Sequence, residues 1–129
     1  MNKEYPLFTY TSRILSLAGS KDFQVFTSPI CLAIAFYFAE KKVSSGKAKE
    51  KIRLLCNHLM IAESSASSVN KTLENRTILD FEDGLEYYAA IENKCRCIIT
   101  EDTNDFHFSE IEVLKSEDFF VKYMKKKSF

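Results

Sequence analysis

Glycine and proline are scarce, at three and two residues among 129. Neither gathers into a stretch that would make a flexible linker, so the chain reads as one domain of ordinary size, long enough to bury a core. There is no glycine-rich phosphate loop, no nucleophile elbow and no zinc-ligand spacing. A net charge of one sign is absent too: 18 Lys and Arg balance 18 Asp and Glu, which excludes a strong overall attraction to nucleic acid. Long apolar runs are also missing. The longest, Ile30 to Ala39, is roughly half the ~20 residues of a membrane span and reads as buried core. The opening Met1-Asn2-Lys3-Glu4-Tyr5-Pro6 lacks the basic start and apolar stretch of a secretory signal, so a cytoplasmic protein with no membrane contact is expected. Cys31, Cys56, Cys95 and Cys97 lie in apolar helix or strand patterns and are expected to be reduced, packed thiols. Asn70-Lys71-Thr72 and Asn75-Arg76-Thr77 match the glycosylation pattern, which means nothing without a secretory route.

What is present is an alternation of helices and short strands. Pro6 to Ala18 has the apolar spacing of an amphipathic helix, with Gly19 as its stop. Lys21 to Thr27 reads as a strand, and Ser28-Pro29 as a cap followed by proline at the first helical position of a mostly buried helix reaching about Lys42. After Ser44-Ser45-Gly46 a basic amphipathic helix places Ala48, Ile52, Leu55 and Cys56 on one side. Leu59 to Ala62 reads as a short strand, Ser64 to Glu74 as a helix with a serine-rich cap, and Asn75 to Ile78 as a turn. Asp80 caps the next helix, which buries Leu85, Tyr88, Ala89 and Ile91 and ends near Asn93-Lys94. Strands at Cys95 to Thr100 and Ile111 to Leu114 follow, then a helix capped by Ser116. Strand, helix, strand, helix predicts an α/β fold with a parallel sheet between helices.

Within this frame Asp80 to Phe106 carries the chemistry. Asp80-Phe81-Glu82-Asp83 opens a helix, and Thr100-Glu101-Asp102-Thr103-Asn104-Asp105-Phe106 follows a strand end. In an open α/β sheet, ligands collect outside the carboxyl ends of the strands. Carboxylates gathered there repel one another, and a hard divalent cation such as Mg²⁺ relieves the repulsion. The reaction such a centre serves is metal-assisted hydrolysis of a phosphodiester. Taken singly, Asp80 and Asp83 also suit a helix cap and a first-turn acid, and Asp102 and Asp105 suit ordinary turn positions.

Residues 80 to 106, the following strand and the Ser116-Glu117-Asp118-Phe119-Phe120 helix closely resemble the carboxyl half of PIN domains, the family of the VapC-like ribonuclease toxins. The shared order is an aspartate opening a small-residue helix, a strand ending in Ile-Thr, a polar pair and Asp-Phe. Phe26-Thr27-Ser28-Pro29-Ile30-Cys31-Leu32-Ala33 resembles the family's second strand and next helix. The resemblance implies a three-layer PIN-like fold with a short parallel sheet flanked by helices. It implies a Mg²⁺- or Mn²⁺-dependent endoribonuclease that hydrolyses RNA, with an antitoxin protein as partner and a homodimer as its assembly. Asp83 matches the third family acid, Asp105 the acid before Phe, and Asp102 the polar position three residues ahead. Asp83 and Asp105 are thereby the expected catalytic residues, and Asp83, Asp102 and Asp105 the expected metal ligands. The second acid falls on Ile34, which ligates nothing. The first belongs to a central strand whose place precedes this chain, so residues 1–129 are expected to be one PIN-like domain, N-terminally incomplete, from a longer or mis-started product. The contrasting expectation is a catalytically inactive, truncated or degenerate PIN-like protein that serves only as an interaction module.

Two further features have a plain and a functional reading. His107, beside the Asp105-Phe106 pair, suits a proton shuttle or a solvated turn, and His58 complements the negative end of the basic helix. The Lys41 to Arg53 face suits either a solvated surface or a grip on RNA phosphates. Lys125-Lys126-Lys127 reads as a frayed tail.

Overall fold

Ser28 caps the helix that follows it, as expected. Its hydroxyl accepts from the backbone N–H of Cys31 at 3.1 Å, and Pro29 takes a first-turn position where a missing N–H costs nothing. Residues 24–119 and 121–122 are described in the computed structural model of the chain. The helix expected at Pro6 to Ala18, the start of the strand expected from Lys21 and the lysine tail lie outside them. The chain divides into two units between Ser64 and Ser65.

In the first unit, β1 (Phe26–Thr27) leads into α1 (Pro29–Lys42), then α2 (Ser45–Cys56) and β2 (Met60–Ile61). The strands are parallel, with Phe26 opposite Met60 and Thr27 opposite Ile61. The α1 and α2 helices pack on each other, with Ala35, Ala39, Ala48 and Leu55 buried. Burial of α1 is narrower than expected from its apolar run: Tyr37 is 53% exposed and the flanking large residues are half-buried. A helix that is apolar all round cannot turn every side to one neighbour. The Ser44 hydroxyl accepts from the Lys47 N–H at 3.3 Å and starts α2 at Ser45, earlier than the Ser-Ser-Gly stretch suggested.

In the second unit, α3 (Ala66–Glu74) and α4 (Phe81–Glu92) pack together. Strand β3 (Cys97–Ile99), a 3-10 turn (Thr103–Phe106), β4 (Glu112–Leu114) and α5 (Ser116–Phe119) follow. β3 and β4 are parallel, with Cys97 opposite Glu112 and Ile99 opposite Leu114. The α/β class is as expected, with short parallel pairs flanked by helices. In place of one sheet, the described strands form two two-stranded sheets.

Local chemistry explains the boundaries. The Asn75 side chain accepts from the Thr77 N–H at 3.0 Å, making the turn before α4. After Glu92 the chain leaves α4 through Lys94 at φ 56°. The Cys95 N–H donates to Ala90 O at 2.9 Å and the Lys94 N–H to Ile91 O at 3.0 Å, the paired bonds of a Schellman ending. Ser116 does not cap the last helix as expected but is its first residue. Its N–H and hydroxyl both donate to Glu101 Oε2, at 3.0 and 2.9 Å. Glu101 therefore joins the carboxyl ends of β3 and β4. The four cysteines are half-buried thiols outside any disulfide. Burial first, then Glu112 and Cys95, push the Cys97 thiol up to about 11, so it stays protonated and unreactive near neutral pH. No helix among the described residues is long and apolar enough to cross a membrane.

A carboxylate also ties α3 to the end of α4. Glu92 accepts from the Ser65 hydroxyl at 2.7 Å and from the Ser68 hydroxyl at 3.0 Å. The hydrogen bonds from Ser65 and then Ser68 hold the Glu92 carboxyl below its ordinary range, with Lys71 adding to them and desolvation opposing. A carboxyl lowered on folding contributes stability that is complete above the unfolded pKa and is lost as pH falls through the lower folded value. The wild-type urea midpoint is therefore expected to drop more steeply below pH 4.5 than that of Glu92→Gln, with the two curves parallel at neutral pH. Identical acid slopes would remove the knot from the account.

Candidate metal centre

The start of α4 gathers acids because of where a helix puts its side chains. The Asp80 carboxylate accepts from the Asp83 N–H at 3.2 Å and caps the helix, which satisfies one orphan amide. Glu82 and Glu86, four residues apart, stand on one face, and Asp83 is next to Glu82. One ligand oxygen from each of Glu82, Asp83 and Glu86 lies within 4.8 Å of the others. Asp83 is only 3% exposed, and Oε1 of Glu82 is shielded from solvent. Like charges at such spacing oppose helix formation, and the positive end of the helix dipole offsets part of that cost.

Asp83 is held here by the packing of its neighbour Gly84. A Cβ on Gly84 would lie 2.3 Å from Thr72 Cγ2 and 2.9 Å from Ile78 Cγ2. The close approach of α3 to α4 thus depends on a residue without a side chain. It places the first turn of α4, carboxylates included, against a fixed support.

The 3-10 turn bearing Asp105 packs against α4. Phe106 is 3% exposed. Its ring meets Phe108 at 5.8 Å, and Phe108 meets Tyr87 of α4 at 5.1 Å. The Tyr87 hydroxyl accepts from the Glu110 N–H at 3.2 Å, which fixes the same segment. Asp102 begins this turn: its N–H donates to Thr100 Oγ1 at 3.1 Å, and its carbonyl accepts from the Asp105 N–H at 3.0 Å. Asp102 is half-buried and Asp105 exposed. Neither is in the close carboxylate group, whose members are Glu82, Asp83 and Glu86. Of the expected ligands, then, Asp83 is in the group. Glu82 and Glu86 are the residues sequence reasoning left out. The signal available was their spacing of four on a helix already opened by Asp80.

The donor set consists of carboxylate oxygens alone, the chemistry of a hard cation such as Mg²⁺ or Mn²⁺ rather than of zinc or copper. With one oxygen from each already within 4.8 Å of the others, Glu82, Asp83 and Glu86 are the residues that would hold such a cation. His107, exposed on the far side of Phe106 in sequence, faces the Phe108 ring at 5.8 Å. In α1, the helix expected to carry another acid, Ile34 is half-buried and the first turn has no acidic residue.

Comparison with known proteins agrees with this architecture. Residues 2–104 match the PIN domain family. The chain is also similar to Ribonuclease VapC1 of Aquifex aeolicus (strain VF5), at 27% identity over 114 residues, covering 85% of this chain and 78% of that protein. No solved structure matches significantly. The match across most of its length makes this chain a member of the PIN domain family.

Proposed function

We propose that this chain, taken as a single PIN domain over residues 1–129, is an Mg²⁺- or Mn²⁺-dependent endoribonuclease of the toxin type. Its substrate is RNA, an antitoxin protein and a second copy of the chain are its partners, and the cytoplasm is where it works. The observation that carries the reading is the buried Asp83, grouped with Glu82 and Glu86 within 4.8 Å, in a chain similar to a ribonuclease. Glu82, Asp83 and Glu86 would hold the cation, with Asp102 and Asp105 offering further carboxylates from the 3-10 turn. When bound, such a cation supplies Lewis-acid polarisation of a phosphate oxygen and acidifies a coordinated water.

The chain's own residues do the rest. Asp83, on a backbone fixed by the Asp80 cap and the Gly84 contact, would present its carboxylate from a rigid support. Asp105, exposed on the 3-10 turn, would accept a proton from an attacking water. Charge on the three α4 carboxylates restricts the site to a cationic occupant and disfavours a bare phosphate there. The test is cleavage of a mixed single- and double-stranded RNA by the full chain with Mn²⁺, with Mg²⁺ and with EDTA. Cleavage with either cation and none in EDTA is expected. Cleavage that persists in EDTA, or none with either ion, defeats the proposal.

One observation favours a second reading, a PIN-like protein without catalysis that acts as an interaction module. Ile34 stands where the family's second acid is expected, and α1 has no carboxylate before Glu40. If the wild-type chain is silent while Ile34→Glu cleaves RNA with Mn²⁺, this second reading holds.

A further inference from the structure

Six cations stand against one carboxylate between Lys41 and Arg53: Lys41, Lys42, Lys47, Lys49, Lys51 and Arg53, with Glu50 alone opposing them. All six are exposed, and among the described residues none forms an ion pair. On α2, Lys47 and Lys51 are four residues apart, and so are Lys49 and Arg53. Like charges at that spacing weaken a helix. The pattern therefore costs the fold stability, while the buried side of α2 is supplied by Ala48 and Leu55. Only Lys41, Lys42 and Arg53 lie in the last turns of their helices, where a cation complements the dipole. Lys47, Lys49 and Lys51 have no such account.

The end of α1 adds an aromatic surface. Tyr37 is 53% exposed, and Lys41 Nζ lies over its ring at 4.2 Å from the centroid. An exposed ring with an ammonium beside it, next in sequence to a run of unpaired cations, has the two parts that hold a single nucleic-acid strand: a face for base stacking and charges for phosphates.

We propose that the end of α1 and the basic residues flanking the buried side of α2 bind the sugar-phosphate backbone of a single-stranded RNA segment, with Tyr37 stacking on a base. The choice of RNA among polyanions rests on the ribonuclease reading; the uncompensated charge and the ring do not. Zero net charge for the whole chain makes the attraction local, so the surface sets where the strand lies rather than drawing in any polyanion from a distance.

The test measures binding without chemistry. A fluorescent single-stranded RNA of mixed sequence is titrated with the full chain in EDTA at several salt concentrations. The variant Lys47→Gln/Lys49→Gln/Lys51→Gln/Arg53→Gln keeps helix-forming residues on an exposed face, and its far-UV spectrum and melting are compared with the wild type. Each phosphate contact of a single strand contributes about 0.7 to the slope of log K against log salt, and a strand along one side of α2 meets one row of two cations, so the variant is expected to lower that slope by about 1.4. Affinity is expected to fall at least ~10-fold at low salt. Tyr37→Ala is expected to weaken binding about five-fold with the salt slope unchanged, as for loss of one stacked base. The charge-keeping Lys47→Arg/Lys49→Arg/Lys51→Arg variant should bind like wild type. A folded glutamine variant with wild-type affinity and slope overturns the proposal, as does a poly-glutamate chain that competes as well as RNA of equal charge. Salt-dependent RNA binding in a chain that cleaves nothing with Mn²⁺ retains this surface and removes the ribonuclease reading, so the two failures are distinct.

Discussion

Asp83→Asn is expected to lower Mn²⁺-dependent RNA cleavage by about 100-fold or more, the scale on which single preorganised electrostatic partners act. The protein should keep its fold. Asp83 is buried with Glu82 and Glu86 close by, and an amide of the same shape removes one of three mutually repelling charges. The denaturant midpoint of Asp83→Asn should therefore stay level or rise, while Mn²⁺ affinity measured by calorimetry falls. A purely structural aspartate predicts the reverse, with stability lost and cation affinity indifferent. Glu86→Gln is expected to follow the same pattern, since its oxygen belongs to the same group. Asp105→Asn separates two forms of the centre. A loss as large as that of Asp83→Asn brings the 3-10 turn into the reaction, and wild-type activity confines the centre to α4.

Much of this arrangement could be read before any coordinates, because the determinants are local. Ser28, Ser44, Ser65 and Asp80 each accept a bond from the backbone N–H three residues on, which is why polar residues ahead of apolar periods mark those helix starts to within two residues. Asn75 makes its turn through its own side chain in the same way. The parallel pairing followed from the alternation of elements, which leaves few topologies. Strand extent was not legible. The expected Cys95 to Thr100 and Leu59 to Ala62 shorten to Cys97–Ile99 and Met60–Ile61, because a strand's length is set by its partner's register, information held elsewhere in the chain. The role of Ser116 was hidden for the same reason: its partner Glu101 is fifteen residues away. At the site, Asp83 stood out through its position in an ordered pattern, whereas Glu82 and Glu86 carried only a spacing of four on a helix, a signal shared by many solvated faces, until the structure grouped them with Asp83.

Gly84→Ala is expected to destabilise the protein by about 1–3 kcal/mol, the usual scale for overpacking a close contact. Two effects compete at this position. In a helix interior alanine is favoured over glycine by about 1 kcal/mol, so propensity alone predicts a gain. The new methyl, however, would lie 2.3 Å from Thr72 Cγ2 and 2.9 Å from Ile78 Cγ2, well inside the separation of touching carbons. Thr72 cannot simply rotate away, since it is 4% exposed and its hydroxyl donates to Ser68 O at 2.7 Å. Steric overlap therefore prevails, and α3 and α4 must part. Thr72→Ser removes the offending methyl and keeps the hydroxyl, so the double variant Gly84→Ala/Thr72→Ser should recover much of the loss. A coupling of about 0.5–3 kcal/mol in the cycle of urea midpoints is the expected size for residues in direct contact. Additive effects would mean that the helices do not meet at this point. Because Gly84 follows Asp83 on the first turns of α4, the single variant should also weaken Mn²⁺ binding, and Thr72→Ser should restore it together with stability. Recovery of one without the other would uncouple the support from the carboxylates it holds.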